Sequence, residues 1–156
     1  MPNWCDNELT ITGNENDLDK FYEDNYRLVD YDGAPVEVSE AGKTGCYHLS
    51  FDRLIKDAGN CDKNVEQWGT KWDLDDALYC TRDEQELAYG MDTAWSPPTE
   101  WLKVAIAKYP TLRFKLNYHE DGCEFAGVME GVNGEVITDE CHEYTDAERA
   151  MYNEEV

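Results

Sequence analysis

The stretch SPPTEWLKVAIAKYPTLRFKLNY, residues 96–118, decides how the rest of the chain is read. Within it Trp101, Leu102, Ala105, Ile106 and Tyr109 recur at helical spacing and form one apolar stripe. Ser96 stands where a capping residue belongs, Pro97 suits a first position that needs no N–H, and Pro110 lies beyond the end. The spacing therefore predicts a helix over 97–108. Leu112, Phe114, Leu116 and Tyr118 then alternate strictly with Arg113, Lys115 and Asn117, the period of a half-buried strand.

Downstream, Gly122 opens a turn into a partner strand over 124–130, and Asn133-Gly134 marks a hairpin into 135–142. Thr145-Asp-Ala-Glu148 has the form of a capping box and predicts a short C-terminal helix. Upstream, residues 77–81 and 86–95 read as two short strands joined by a charged turn over 82–85. A first strand over 3–12 shows alternation at Leu9 and Ile11 and is punctuated by Gly13 and Asn14. Leu18, Phe21 and Tyr22 follow at helical spacing over 17–25, with Asn16 as the expected N-cap. Residues 27–44 read as loop, with a short strand at 36–38 as an option, and 46–51 as a second strand. Residues 52–75 yield no assignment. The order β-α-β, an irregular middle, then β-α-β-β-β predicts an α+β, ferredoxin-like fold. Its sheet is mainly antiparallel, its helices pack on one face, and hairpins and a short C-terminal helix are added.

Thirteen basic residues stand against 35 acidic ones, a formal charge of −22. Such a field repels nucleic acid and anionic membrane and attracts basic surfaces. With 41% hydrophobic and 12% aromatic residues, the chain has too much apolar material for a disordered acidic tail. A single domain over 1–156 is expected, with an acidic extension over about 131–156. The opening MPNWCDNELT has no basic segment leading into an apolar run, and no stretch nears the ~18 apolar residues of a membrane span. The expected location is the cytoplasm.

Six cysteines, at 5, 46, 61, 80, 123 and 141, form no Cys-x-x-Cys pair and read as reduced, mostly buried thiols. A zinc site from Cys141, His142 and Cys123 or His119 fits no common ligand spacing. Cys46 and His48 share one strand face without a third orienting group. Asp30-Tyr-Asp32-Gly33 has part of a calcium loop but lacks the third ligand and the closing Glu, leaving at most weak calcium binding to clustered acid. No phosphate loop, nucleophile elbow or His-Glu-x-x-His helix is present, so no enzyme, metal or cofactor is expected.

Trp4, Trp68, Trp72, Trp95 and Trp101 are large apolar side chains whose expected place is the core. The alternative is an aromatic platform, and a nucleobase on it would need a basic groove, for which only Lys63, Lys71 and Arg82 lie near the tryptophans in sequence. Three segments around them carry a resemblance: Met1-Pro2-Asn3-Trp4-Cys5 with Asn7, Leu9, Ile11 and Gly13, then Trp68-Gly-Thr-Lys-Trp72-Asp73, then Thr93-Ala-Trp95-Ser-Pro-Pro98. Together with Tyr109-Pro110, the alternating strand and Gly122…Phe125-Ala-Gly127, they resemble the YubB-like family of phage and plasmid proteins. The match spans about residues 1–130 and helps least in the acidic tail. It implies a ferredoxin-like C-terminal region and a mobile-element origin, and no reaction.

Acids gather over 15–32, 73–86, 120–124 and 135–155. Spread evenly, the net charge comes to about one per ~370 Å² of surface, against about one per ~110 Å² on duplex DNA. Mimicry of nucleic acid therefore requires the acids to concentrate on one ridge. The residues expected to form it, and to bind a partner, are Asp73, Asp75, Asp76, Asp83, Glu84, Glu86, Glu120, Asp121, Glu124, Asp139, Glu140 and Glu143. With the mobile-element resemblance, these acids point to an inhibitor of a basic, nucleic-acid-handling host defence protein, such as a CRISPR effector or restriction complex. The partner is then a basic host protein or nucleoprotein complex, with no direct nucleic-acid binding and no membrane. The alternative is a structural or accessory phage or plasmid module whose acidity serves solubility.

Overall fold

The computed structural model describes residues 3–30, 45–74 and 77–153. Its central strand, β1 (Trp4–Thr12), pairs antiparallel on both sides, with β5 (Glu86–Ala94) and with β6 (Arg113–Glu120). Beyond β5 lies β4 (Ala77–Arg82), and beyond β6 lie β7 (Phe125–Val132) and β8 (Glu135–Glu143). The sheet order is thus β4-β5-β1-β6-β7-β8. Helices α1 (Glu15–Asn25) and α3 (Thr99–Lys108) make the two crossovers, from β1 towards β4 and from β5 to β6. This is the α+β, ferredoxin-like arrangement that the element order predicts, with β7, β8 and helix α4 (Asp146–Asn153) added.

Alternation sends Cys5, Asn7, Leu9 and Ile11 of β1 to the helix side, beside Leu87, Tyr89 and Met91 of β5 and Phe114 and Leu116 of β6. Leu18 and Phe21 of α1 and Trp101, Leu102, Ala105 and Ile106 of α3 close the core over them. Phe21 is the aromatic hub, edge-on to Trp101, Tyr109 and Phe114 at centroid distances of 6.4, 5.1 and 5.8 Å. Gly131 leaves room for Ile106, which a Cβ there would meet at 2.4 Å. The Asn133-Gly134 hairpin forms as predicted, with φ of 55° and 79°, the pair of positive angles that a tight two-residue turn requires.

Several local readings change. Helix α1 is capped by Asn14, whose side chain accepts from the Asp17 N–H at 2.9 Å, and begins before Asn16. Residues read as loop include strand β2 (Tyr26–Asp30), which pairs with β3 (Gly45–Leu49) in a separate two-stranded sheet. The expected second strand at 46–51 therefore lies outside the main sheet, and Phe51 belongs to a 3₁₀ turn (Phe51–Arg53). The unassigned middle contains α2 (Cys61–Trp68), whose start is capped by the Asn60 side chain and whose end is Gly69 at φ +92°. Ser96 does not cap α3: its hydroxyl donates to the Gly69 carbonyl, and the helix starts at Thr99 after Pro98. The optional strand at 36–38 and all but Asp30 of the calcium-like loop lie outside the described residues.

Asp73 ties this inserted middle to the domain. Its carboxylate accepts from the Phe51 and Asp52 N–H groups at 2.7 and 3.2 Å, the Ser50 hydroxyl at 2.6 Å and its neighbour Leu74 N–H at 2.8 Å. Replacing it with alanine strands several partly buried donors. Asp73→Ala is expected to cost about 2–3 kcal/mol, read as a lower urea midpoint with an unchanged slope.

Candidate acidic edge and tryptophan cluster

The register decides where the twelve predicted acids lie. Thr12 pairs with Glu86, whereas Cys5 at the other end of β1 pairs with Glu120. The β4–β5 turn carrying Asp83, Glu84 and Glu86 and the β6–β7 turn carrying Glu120, Asp121 and Glu124 therefore sit at opposite ends of the sheet. Asp75 and Asp76 lie outside the described residues. Three of the remaining carboxylates are occupied by backbone turns, Asp83 and Glu120 by their own and Asp73 by the one at 50–52. Asp73 binds as above, Asp83 accepts from the Gln85 and Glu86 N–H groups at 2.8 Å each, and buried Glu120 accepts from the Gly122 and Cys123 N–H groups at 2.5 and 2.8 Å.

One group does come together. Phe125 pairs with Glu143, so the β6–β7 turn meets the end of β8 and brings Asp121 and Glu124 towards Glu143, while Asp139 follows on the same face of the strand and Glu140 on the other. Glu135 and Asp146, absent from the predicted set, extend this edge. Asp121 accepts from the Tyr144 hydroxyl at 2.6 Å, and Arg149 pairs with both Glu124 and Asp146. Nine residues of β8 span about 30 Å at ~3.4 Å each. The four carboxylates of β8 give about one charge per ~8 Å, against one per 3.4 Å along a single DNA strand, and Asp121, Glu124 and Asp146 gather with Arg149 at one end.

Helix α4 lies against the open face of the sheet at this edge. The predicted capping box forms: the Thr145 hydroxyl accepts from the Glu148 N–H at 3.1 Å, and Glu148 accepts from the Thr145 N–H at 3.0 Å. Tyr152 stacks on His119 at 3.9 Å and Glu148 bonds His142 at 2.8 Å, and these side chains line a solvent-open cleft of about 410 Å³ with Asp6, Glu8 and Glu140. Deeper on this face Asp6 and Asp92 are cross-strand partners, and burial together with the Asp6 charge raises the Asp92 carboxyl above its ordinary range.

The described cysteines depart from expectation. Cys5 is buried, with burial pushing its thiol up, but Cys61, Cys80, Cys123 and Cys141 are exposed. Cys141 and His142 alternate to opposite faces of β8, so adjacency in sequence does not make them joint ligands. Among the described residues no three His, Cys, Asp or Glu side chains are placed to hold a metal ion. The side chains of Cys46 and His48 lie outside the described set.

The tryptophans depart further. Trp68 and Trp101 are fully buried, but Trp4, Trp72 and Trp95 are 45%, 42% and 43% exposed. Their three segments converge. Trp4 lies 6.4 Å from Trp72 between ring centroids, and the Lys71 ammonium sits 4.3 Å over Trp72 and 5.5 Å from Trp95. No local pattern marks this cluster: the expected core place holds for Trp68 and Trp101, and nothing in the spacing of the five tryptophans singles out the three that meet at the surface.

A ferredoxin-like α+β domain with an acidic added edge is the class these features define. The family model described as the ferredoxin-like domain in Api92-like protein matches residues 67–156, and the chain belongs to that family. The match runs through the acidic tail, the part on which the sequence resemblance helped least. Among solved structures, the protein Api92 from Yersinia pseudotuberculosis superposes with a TM-score of 0.61 at 10% identity, covering 93% of this chain and 99% of that one. At that identity the likeness is one of fold. No curated protein sequence matches the chain. Among the described residues no helix is long and apolar enough to cross a membrane.

Two outcomes follow from the edge. Hydrogen bonds from Thr145 and the His142 contact hold Glu148 below its ordinary pKa of 4.5. The stabilisation of α4 from this source is complete above 4.5 and is lost as pH falls through the lower folded value. Amide shifts of Thr145 and Glu148 followed by NMR should show that release, and Glu148→Gln should abolish it. Added salt should also raise the melting temperature, because screening relieves repulsion among unpaired acids.

Proposed function

We propose that this chain is an acidic binding protein that lays its β8 edge on a basic, nucleic-acid-handling protein and inhibits it by occupying the surface meant for phosphate. The observation that carries the reading is the run of Glu135, Asp139, Glu140 and Glu143 along an edge strand, joined by Asp121, Glu124 and Asp146 at one end. Its linear charge density comes within about two- to threefold of one nucleic-acid strand. Carboxylates so placed form charge-assisted, forked hydrogen bonds with arginines that otherwise grip phosphate.

In this reading the resemblance to YubB-like proteins makes the chain a phage or plasmid product acting in the host cytoplasm. Its target is a defence component such as a CRISPR effector or restriction complex. No catalytic residue or cofactor is required. A second reading, an accessory module with acidity for solubility, is favoured by the acids at the far end of the sheet, Asp83, Glu84 and Glu86, which stand apart from the edge.

The test is an affinity pull-down from host lysate at low and moderate salt, with wild type beside two neutralised variants. One carries Glu135→Gln, Asp139→Asn, Glu140→Gln and Glu143→Gln; the other carries Glu84→Gln and Glu86→Gln. The expected result is one basic nucleoprotein complex, displaced by added DNA or RNA, at least tenfold depleted with the first variant and retained with the second. Equal loss with both variants, or recovery of salt-labile basic proteins alone, would put the accessory-module reading in front.

A further inference from the structure

The backbone that presents the exposed tryptophans is fixed by a hydrogen-bond network that also ties the inserted middle to the domain. Trp95 has φ +69°, a left-handed conformation that is an outlier for a bulky side chain. Its N–H donates to the Asn3 carbonyl at 2.8 Å, and the Ser96 N–H donates to the Ala94 carbonyl at 2.9 Å. Buried Asn7 donates to the Thr93 hydroxyl at 2.9 Å, which donates to the Ser96 carbonyl at 2.6 Å. Ser96 and Thr70 stitch the turn carrying Lys71 and Trp72 to the same segment, through Gly69 and Ala94. Gly69 admits this closeness, since a Cβ would lie 2.7 Å from the Pro97 carbonyl oxygen. Backbone strain maintained to hold a large apolar ring in water is the mark of a ligand clamp.

The surroundings select the ligand. The indole faces already carry a cation, Lys71. Asn3 links the cluster to the acidic β6–β7 turn, approaching Cys123 at 3.9 Å, between Asp121 and Glu124. On the other side Asp6 and Asp92 follow Trp4 and Ala94 on the same sheet face. Electron-rich rings on a face that also carries Asp6 and Asp92 attract a flat, delocalised cation and repel phosphate.

We propose that Trp4, Trp72 and Trp95 form a platform for arginine side chains of a basic protein partner, with guanidinium groups stacking on the indoles and Lys71 as the internal cation they displace. This rests on the acidic-binding reading and adds to it an aromatic anchor at the end of the sheet where the β6–β7 turn meets β8. Stacking favours arginine over lysine, as do the forked bonds to the β8 carboxylates, so the tryptophan variants decide which of the two carries the preference.

The probes are dye-labelled (Arg-Gly)₅ and (Lys-Gly)₅ peptides, measured by fluorescence anisotropy at 150 mM salt on the whole chain. The arginine peptide is expected to bind roughly fivefold tighter, within the range of a cation–π contact. That gap should close in Trp72→Ala and widen in Lys71→Ala. Trp95→Gly should close it too, and because glycine accepts the positive φ this variant keeps its fold. Equal affinities, no binding of either peptide, or an unchanged gap in Trp72→Ala and Trp95→Gly overturns the platform. Tighter binding of an oligothymidine than of the arginine peptide overturns it in favour of nucleobase stacking. The β8 variant separates the two readings: if it weakens both peptides equally while no arginine preference exists, the acidic edge stands and the platform falls.

Discussion

Two-sided pairing of β1 is the constraint on which the rest depends. Because it is hydrogen-bonded to both β5 and β6, one register assigns every residue of three strands to a face. The odd positions Cys5, Asn7, Leu9 and Ile11 go under the helices, and the even positions Trp4, Asp6 and Glu8 go to the open face. A slip of one residue would bury Asp6 and Glu8 and expose Leu9 and Ile11, at a cost of several kcal/mol per buried charge. The same register places the acidic turns at opposite ends and brings Trp4 beside Ala94.

Asn7 is the buried polar residue of β1, and it links core to surface. Its amide group is shared between the Cys5 and Met91 carbonyls and the Thr93 hydroxyl, so a buried side chain determines the backbone that presents Trp95. A satisfied buried polar group of this kind confers a unique geometry more than it confers stability. The insertion between α1 and β4 is held to the same region by Asp73 from one side and by Gly69, Thr70 and Ser96 from the other.

The electrostatics are uneven in the same way. Much of the net charge is dispersed: Asp19 and Asp24 of α1 pair with Arg82 and Lys20, and Asp73, Asp83 and Glu120 are consumed by turns. What distinguishes one edge is that β8 is exposed on both faces and carries four acids with no lysine or arginine in the strand itself. An edge strand so charged also resists pairing with another sheet, so the carboxylates there have a protective role whatever they bind.

The sequence by itself determined the elements whose signal is local. The alternation from Leu112 to Tyr118, the stripe from Trp101 to Tyr109, the Asn133-Gly134 turn and the Thr145–Glu148 box each have a period or a turn chemistry that no distant contact overrides. Helix α2 was illegible because eight mostly polar residues offer little apolar stripe; its caps, Asn60 and Gly69, and burial of Trp68 against the domain make it a helix. Strand β2 was read as loop because its partner is the distant β3. Only the tertiary structure decided which tryptophans face water and which acids are neighbours. Composition counts charges and rings, but their proximity is set by the register of strands far apart in sequence.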